Sequence, residues 1–237
     1  MIDLHCHILP AIDDGSSDIR TSIGMARMAA EDGITHIAAT PHYHYGKSPT
    51  IGEIQSAVRV LTEKIDQEGI PVKLLSGADI RLSYDLFKAI EGRTIPTIGD
   101  TRYFLIELPE LIPPHLDDFI FEALLKGYVP VVTHPERNYT LLTSQEKMGE
   151  LRKTGALFQL TAMSITGEFG PQIRKCCQTL LKKGYVDFVA SDAHSIGRRC
   201  PGLSKAYREV ADILDRRQAD RILRENPAAV IENRKIG

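Results

Sequence analysis

Two histidines open this chain in a setting suited to metal chemistry. The sequence begins Met-Ile-Asp-Leu-His-Cys-His, placing His5 and His7 at i and i+2 where an apolar run ends. Alternate side chains of a strand point the same way, so both imidazoles can reach one point while Cys6 faces elsewhere. Two converging imidazoles suit a divalent cation, although alone they read equally well as two surface histidines. The balance shifts because metal-type ligands recur at the ends of other apolar runs. Asp13-Asp14-Gly15 follows His7, Thr40-Pro-His42 closes the second run, and Gly77-Ala-Asp79 follows the third. Glu107 lies in the fourth, His134-Pro-Glu-Arg137 follows the fifth, and Ser191-Asp-Ala-His194 follows the seventh.

Nine candidate ligands result: His5, His7, Asp14, His42, Asp79, Glu107, His134, Asp192 and His194. Each has an ordinary alternative; Asp14 could cap a turn, and Glu107 could pair with an arginine. That alternative must be repeated for every member, which makes it a poor account of the set. No cysteine joins the group, so a thiolate zinc site is excluded. Imidazole with carboxylate suits Mn²⁺ first, then Fe or Zn²⁺, and Mg²⁺ less. The donors are too many for one ion and suit two or three divalent ions bridged by a carboxylate. Ions so placed polarise a phosphoryl oxygen and lower the pKa of a bound water to about 7. Arg137 and Arg199, close in sequence to His134 and His194, suit bidentate binding of phosphate. Metals with arginines favour phosphate-ester over amide hydrolysis. Arg198 is expected in a surface salt bridge, His36 half-buried in a strand, and His44 and His115 exposed.

The elements that carry these residues alternate. Apolar runs fall at 1–4, 34–39, 72–75, 102–108, 129–133, 156–160 and 186–190. Helical periodicity falls at 19–32, 51–68, 116–126, 144–153, 172–183 and 204–215. Gly33, Gly69, Gly127, Gly155 and Gly184 follow helical stretches, where a left-handed residue is wanted. Thr143-Ser-Gln-Glu146 has capping-box spacing, and Asn226-Pro227 opens a terminal helical cap. Such alternation indicates an α/β fold with a parallel sheet covered by helices. A closed barrel is expected, because it gathers the C-terminal strand ends around one centre, whereas an open sheet spreads them along a line. No linker or repeat interrupts 1–237, so one domain is expected.

Composition narrows the function further. Of 237 residues, 43% are hydrophobic and 25% charged, as in an ordinary globular protein. A net charge of -2 without a basic stripe argues against nucleic acid and against a proofreading nuclease. No apolar run approaches membrane-span length, and no basic region precedes an apolar core, so neither membrane insertion nor a secretory leader is expected. The four cysteines form no C-x-x-C pair, and reduced thiols in a cytoplasmic protein account for them. A cysteine-nucleophile phosphatase needs an arginine six residues after its cysteine. Those positions hold Ile12, Lys182, Lys183 and Ala206.

The opening Met-Ile-Asp-Leu-His-Cys-His-Ile-Leu-Pro, Asp13-Asp14-Gly15, Ala39-Thr-Pro-His42, the segment from Gly127 to Asn138 and Ala190-Ser-Asp-Ala-His194 together resemble the polymerase and histidinol phosphatase (PHP) superfamily. The closer resemblance is to its bacterial metal-dependent protein-tyrosine phosphatases, the CpsB/YwqE type linked to capsule and exopolysaccharide synthesis. It covers nearly the whole chain. It implies a distorted seven-stranded parallel (β/α)7 barrel of PHP type, in agreement with the seven apolar runs. It also implies three metal positions: His5, His7 and Asp192 at the first, Glu107 and His134 at the second with Asp79 bridging, and Asp14, His42 and His194 at the third. Arg137 and Arg199 would bind the phosphate. One departure stands out: the bridging residue is usually glutamate, and Asp79 is one methylene shorter. The implied activity is hydrolysis of phosphotyrosine on proteins by metal-activated hydroxide, with a bacterial tyrosine autokinase as partner. A small-molecule phosphomonoesterase, such as a histidinol phosphatase, and a non-catalytic metal-binding scaffold are the alternatives.

Overall fold

The computed structural model describes residues 1–237 apart from Tyr45, Ser48, Gly237 and the Gln145 side chain. Among the described residues are nine strands: β1 (Ile2–Cys6), β2 (His36–Ala39), β3 (His42–Tyr43), β4 (Lys73–Ser76), β5 (Asp79–Arg81), β6 (Tyr103–Glu107), β7 (Val129–Thr133), β8 (Leu157–Thr161) and β9 (Phe188–Ala190). They form two sheets, ordered β1-β2-β4 and β3-β5-β6-β7-β8-β9, and every pairing is parallel.

The seven expected apolar runs thus appear as nine strands. Two of the runs are split. Pro41, between β2 and β3, has no N–H to give a ladder. Gly77 lies between β4 and β5. The first halves, β2 and β4, pair with each other beside β1, and the second halves, β3 and β5, pair with each other beside β6. Backbone bonds continue across the splits: Thr40 donates to the Cys6 carbonyl and Asp79 to the Pro41 carbonyl, both at 3.0 Å. On the far side, the segment after β9 runs along β1. There Asp192 donates to the His5 carbonyl and His7 to the Ala193 carbonyl, both at 2.8 Å.

The helices Ile19–Glu31, Ile51–Gln67, Leu116–Leu125, Gln145–Lys153, Pro171–Lys182 and Ser204–Ile213 match the expected periodic stretches closely. Their apolar faces, such as Ile54, Val58, Leu61 and Ile65, pack into the larger buried cluster with Ile37, Phe104 and Val132. A second cluster, formed by Ile2, Leu4, Ala38, Leu105, Val131 and Phe188, lies on the opposite strand face. Val230 of the terminal helix Asn226–Ile231 closes it, and Asn226 donates to the Asp187 carbonyl at 2.9 Å. The terminal cap is therefore where Asn226-Pro227 placed it. The five glycines after helices all take positive φ. The capping box at Thr143 does not form. Thr143 ends a short helix, Tyr139–Thr143, and its hydroxyl donates to the Tyr139 carbonyl at 2.8 Å. A capping box joins Thr50 and Glu53 instead. Among the described residues, no helix is long and apolar enough to cross a membrane.

Candidate metal centre

The site begins with an irregularity in β1. This strand pairs with β2 at Asp3–Ile37 and again at Cys6–Ala39, three steps against two. One extra residue makes a bulge and resets the alternation of side chains. Leu4 joins the second apolar cluster and Cys6 the larger one, and His5 and His7 are fully buried. Strict alternation would have put His5 on the face opposite Leu4.

The nine candidates converge at the C-terminal strand ends. Asp79 Oδ2 lies 3.6 Å from His5 Nε2, 3.6 Å from His42 Nδ1 and 3.7 Å from His134 Nε2. Asp192 Oδ1 lies 3.5 Å from His5 Nε2, 3.4 Å from His7 Nε2 and 3.7 Å from His194 Nδ1. Asp14 Oδ1 lies 3.5 Å from His42 Nε2 and 3.6 Å from His194 Nε2. Most of these separations are too long for hydrogen bonds. They match the edge, about 3.4 Å, of a tetrahedron with bonds of about 2.1 Å. Asp79 Oδ2 is buried without any hydrogen-bond partner among the described residues. A carboxylate oxygen left so is costly unless a cation completes it. The donor set therefore fits divalent cations.

Three groups of donors lie close enough to share an ion: His5, His7 and Asp192; His7, Asp14, His42 and His194; and His42, Asp79 and Glu107. Glu107 also pairs with Arg81 at 3.0 Å. His134 stands outside these groups and meets the set through Asp79. Glu107 and His134, which the resemblance places together, are not in one group here; His42 and Asp79 share a group with Glu107, and His134 approaches Asp79.

Supporting contacts orient the ligands. Asp13 Oδ2 lies 2.6 Å from His7 Nδ1 and accepts from His42 N at 2.9 Å, while its Oδ1 accepts from Gly15 N at 2.9 Å. Gln159 Oε1 lies 2.8 Å from His5 Nδ1. These contacts turn both Nε2 atoms inward, 3.1 Å apart. Burial draws the His7 pKa down, but hydrogen bonds to Asp13 and Asp192 outweigh it and raise the pKa to about 9. Burial opposes ionisation of Asp79 and Asp192, yet His5, His134 and their other neighbours hold both well below the carboxylate range. Burial and the charge on His7 push His194 down to about 4. A proton on His7 therefore supplies positive charge that the carboxylates demand. His134 and Asp192 take positive φ, 33° and 52°. Non-glycine residues rarely adopt that conformation, and functional sites concentrate it.

Arg137 and Arg199 both reach Asp192 Oδ2, at 2.5 Å and 2.7 Å. Arg137 also stacks on the Phe169 ring at 5.1 Å. Two guanidinium groups converging on one oxygen make a clamp for an oxyanion. Arg198 departs from expectation: it is exposed and forms no ion pair among the described residues. His36 is half-buried in β2, and His44 and His115 are exposed, as expected. Asp13, Gln159 and Thr133, whose hydroxyl donates to Asp79 Oδ1 at 3.0 Å, were given no role from sequence. A polar residue within the apolar run of β8 was the available signal for Gln159.

Gly15 packs against the site too closely for a side chain. A Cβ there would lie 2.3 Å from the His7 carbonyl oxygen and 2.5 Å from His7 Cβ. Gly15→Ala is expected to weaken Mn²⁺ affinity at least about 10-fold, as loss of ligand support does. Titration calorimetry checks this, and an unchanged affinity would contradict the packing. The thiols are a separate matter. Cys6, Cys176 and Cys177 are buried and Cys200 is half-buried, all without disulfides. Burial pushes the Cys176 thiol up to about 11 and the Cys6 thiol well above its usual value. Each single Cys→Ser variant should keep most of its kcat/KM per folded protein; abolition in any one would refute a thiol-independent reaction.

Residues 1–232 match the CpsB/CapC family of capsular polysaccharide synthesis. The chain is 38% identical to the tyrosine-protein phosphatase YwqE of Bacillus subtilis (strain 168) over 203 residues, 84% of this chain and 79% of that one. It is 25% identical to the tyrosine-protein phosphatase CpsB of Streptococcus agalactiae serotype III (strain NEM316), with both chains covered in full (100% each). The fold matches a chain from crystal structures of YwqE from Bacillus subtilis and CpsB from Streptococcus pneumoniae, described as unique metal-dependent tyrosine phosphatases. The TM-score is 0.95 at 34% identity, over 100% of this chain and 96% of that one. A cluster of imidazoles and carboxylates beside two arginines is thus set in a chain that belongs to the CpsB/CapC family.

Proposed function

We propose that this chain is a metal-dependent protein-tyrosine phosphatase that hydrolyses phosphotyrosine on a polypeptide substrate. One observation carries the reading: Arg137 and Arg199 converge on a single oxygen at the edge of the imidazole–carboxylate cluster. Membership of a family whose named relatives are tyrosine phosphatases supports it. His5, His7 and Asp192 would hold one ion, and Glu107 and His134 a second with Asp79 between them. Asp14, His42 and His194 would hold a third. Asp79 suits the bridging place despite its shorter side chain, because its free oxygen is already within 3.7 Å of three imidazoles. Bound divalent cations supply Lewis acidity, polarising a phosphoryl oxygen and acidifying water.

The protein groups do the rest. Arg137 and Arg199 exchange Asp192 Oδ2 for the equatorial oxygens of the phosphate and neutralise charge there. Phe169 holds the Arg137 plane in place. Asp13 and Gln159 keep His7 and His5 oriented throughout. The leaving phenolate has a conjugate-acid pKa of about 10, so it needs less protonation than an alkoxide.

Two or three ions bind, with Mn²⁺ first and Fe or Zn²⁺ as alternatives. The partner is a bacterial tyrosine autokinase in the cytoplasm. Residues 1–237 act as one domain, a distorted seven-stranded (β/α)7 ring in which β2 with β3 and β4 with β5 each count as one strand. The bonds between β1 and the segment after β9 support that closure. The test is kcat/KM of the Mn²⁺-loaded protein on a phosphotyrosyl peptide and on histidinol phosphate. The peptide should be preferred; the reverse preference would establish the small-molecule reading, and no turnover at full metal loading would establish a scaffold.

A further inference from the structure

Four arginines line the grooves on either side of the centre among the described residues, and three of them are committed. Arg81 pairs with Glu107, and Arg137 and Arg199 both pair with Asp192. Arg198 has no carboxylate partner among the described residues and stands exposed. Its loop is tightly closed. His194 N and Ser195 N both donate to the Arg199 carbonyl, at 2.8 Å and 3.0 Å, and Gly197 N donates to Ser195 Oγ at 3.2 Å. Arg199 turns inward to Asp192, and the same loop holds its neighbour Arg198 outward.

A groove of about 400 Å³ leaves the centre here, lined by Asp14, Ser17, Thr21, His194, Arg198 and Arg199. A second, of about 210 Å³, leaves on the side of His134 and Arg137 and contains Glu107 and Glu110. A phosphotyrosine gripped by Arg137 and Arg199 would have one groove on each side for the residues that flank it. The two differ in charge. In the first, Asp14 belongs to the donor group with His7, His42 and His194 that would hold a cation, and the nearby Asp18 caps its helix by accepting from Arg20 N and Thr21 N. Arg198 is left as the unmatched charge, beside the hydroxyls of Ser17 and Thr21.

The geometry points to Arg198 as a specificity-determining residue that receives an acidic side chain flanking the phosphotyrosine of the substrate. This rests on the phosphotyrosine reading above and deepens it. An exposed guanidinium–carboxylate pair changes affinity by about two- to fivefold, and like charges repel by a similar factor.

The test uses two phosphotyrosyl peptides of equal length, one with glutamates and one with lysines flanking the phosphotyrosine. Each is assayed with the Mn²⁺-loaded wild type, Arg198→Gln and Arg198→Glu. The quantity read is the ratio of kcat/KM for the glutamate peptide to that for the lysine peptide. The wild-type ratio should be about 10, should approach one in Arg198→Gln, and should invert in Arg198→Glu. In about 0.5 M NaCl the wild-type ratio should shrink toward one. One ratio shared by all three proteins would overturn the assignment. Free phosphotyrosine with the wild type separates the two ideas. No turnover of it defeats the phosphatase reading, while turnover with an unchanging ratio defeats only the role of Arg198.

Discussion

Replacing Asp192 with asparagine is expected to lower kcat/KM on a phosphotyrosyl peptide by about 10³-fold, at the upper end for loss of one electrostatic stabiliser. The size follows from the number of groups this side chain serves. Its Oδ1 faces His5, His7 and His194, and its Oδ2 holds both Arg137 and Arg199. Asparagine keeps the shape and removes the negative charge. The first metal position then has no anionic ligand, and the arginine clamp loses its anchor. Breaking a buried charge cluster also costs about 3–5 kcal/mol, unless His7 gives up its proton to restore balance. Circular dichroism and metal content per chain should accompany the kinetics. A folded Asp192→Asn protein with full metal and activity within about 10-fold of wild type would contradict the account.

Chelation followed by Mn²⁺ add-back should produce the second large effect. Lewis-acid stabilisation of several kcal/mol corresponds, at 1.36 kcal/mol per tenfold, to a loss of at least about 10²-fold. The loss should be reversible, because most of the ligands have protein partners to hold them when the ions leave. With no cation, hydrogen bonds to Asp13 and Asp192 let His7 carry a proton, its pKa raised to about 9 against the pull of burial. Asp13 keeps His7 and two backbone donors, Asp192 keeps Arg137 and Arg199, and Asp79 keeps the Thr133 hydroxyl on Oδ1. Chelated protein should therefore keep its far-ultraviolet dichroism and regain turnover on titration with Mn²⁺. Full activity persisting after exhaustive chelation would remove the metals from the mechanism.

Much of this was legible in the sequence because strand ends and ligands coincide. Val129–Thr133 is an unbroken apolar run, and His134 follows it directly; Phe188–Ala190 leads into Asp192 and His194 in the same way. Periodicity located the long helices because several turns repeat the same apolar face. It did not reveal Asp85–Glu91 or Ala162–Thr166, which are too short to establish a period. Thr143 matched a capping pattern, yet the preceding helical turn had already claimed its hydroxyl. The β1 bulge was hidden, because register is a property of the pair of strands and the partner lies some thirty positions away. Arg198 was misread since sequence shows a charge without showing whether an opposite one lies within reach. The chemistry of Asp14 could be named from its place in Asp13-Asp14-Gly15, whereas Asp13 shows its role only when His7 and His42 are seen to meet it.

The most direct test of the central claim is anomalous diffraction at the manganese edge from crystals grown with MnCl₂. The account predicts at least two peaks, at about 2.2 Å from their ligand atoms. One should contact His5 Nε2, His7 Nε2 and Asp192 Oδ1, and another should contact Asp79 Oδ2, the buried oxygen that has no protein partner. Well-ordered imidazoles and carboxylates with no anomalous density among them would contradict it.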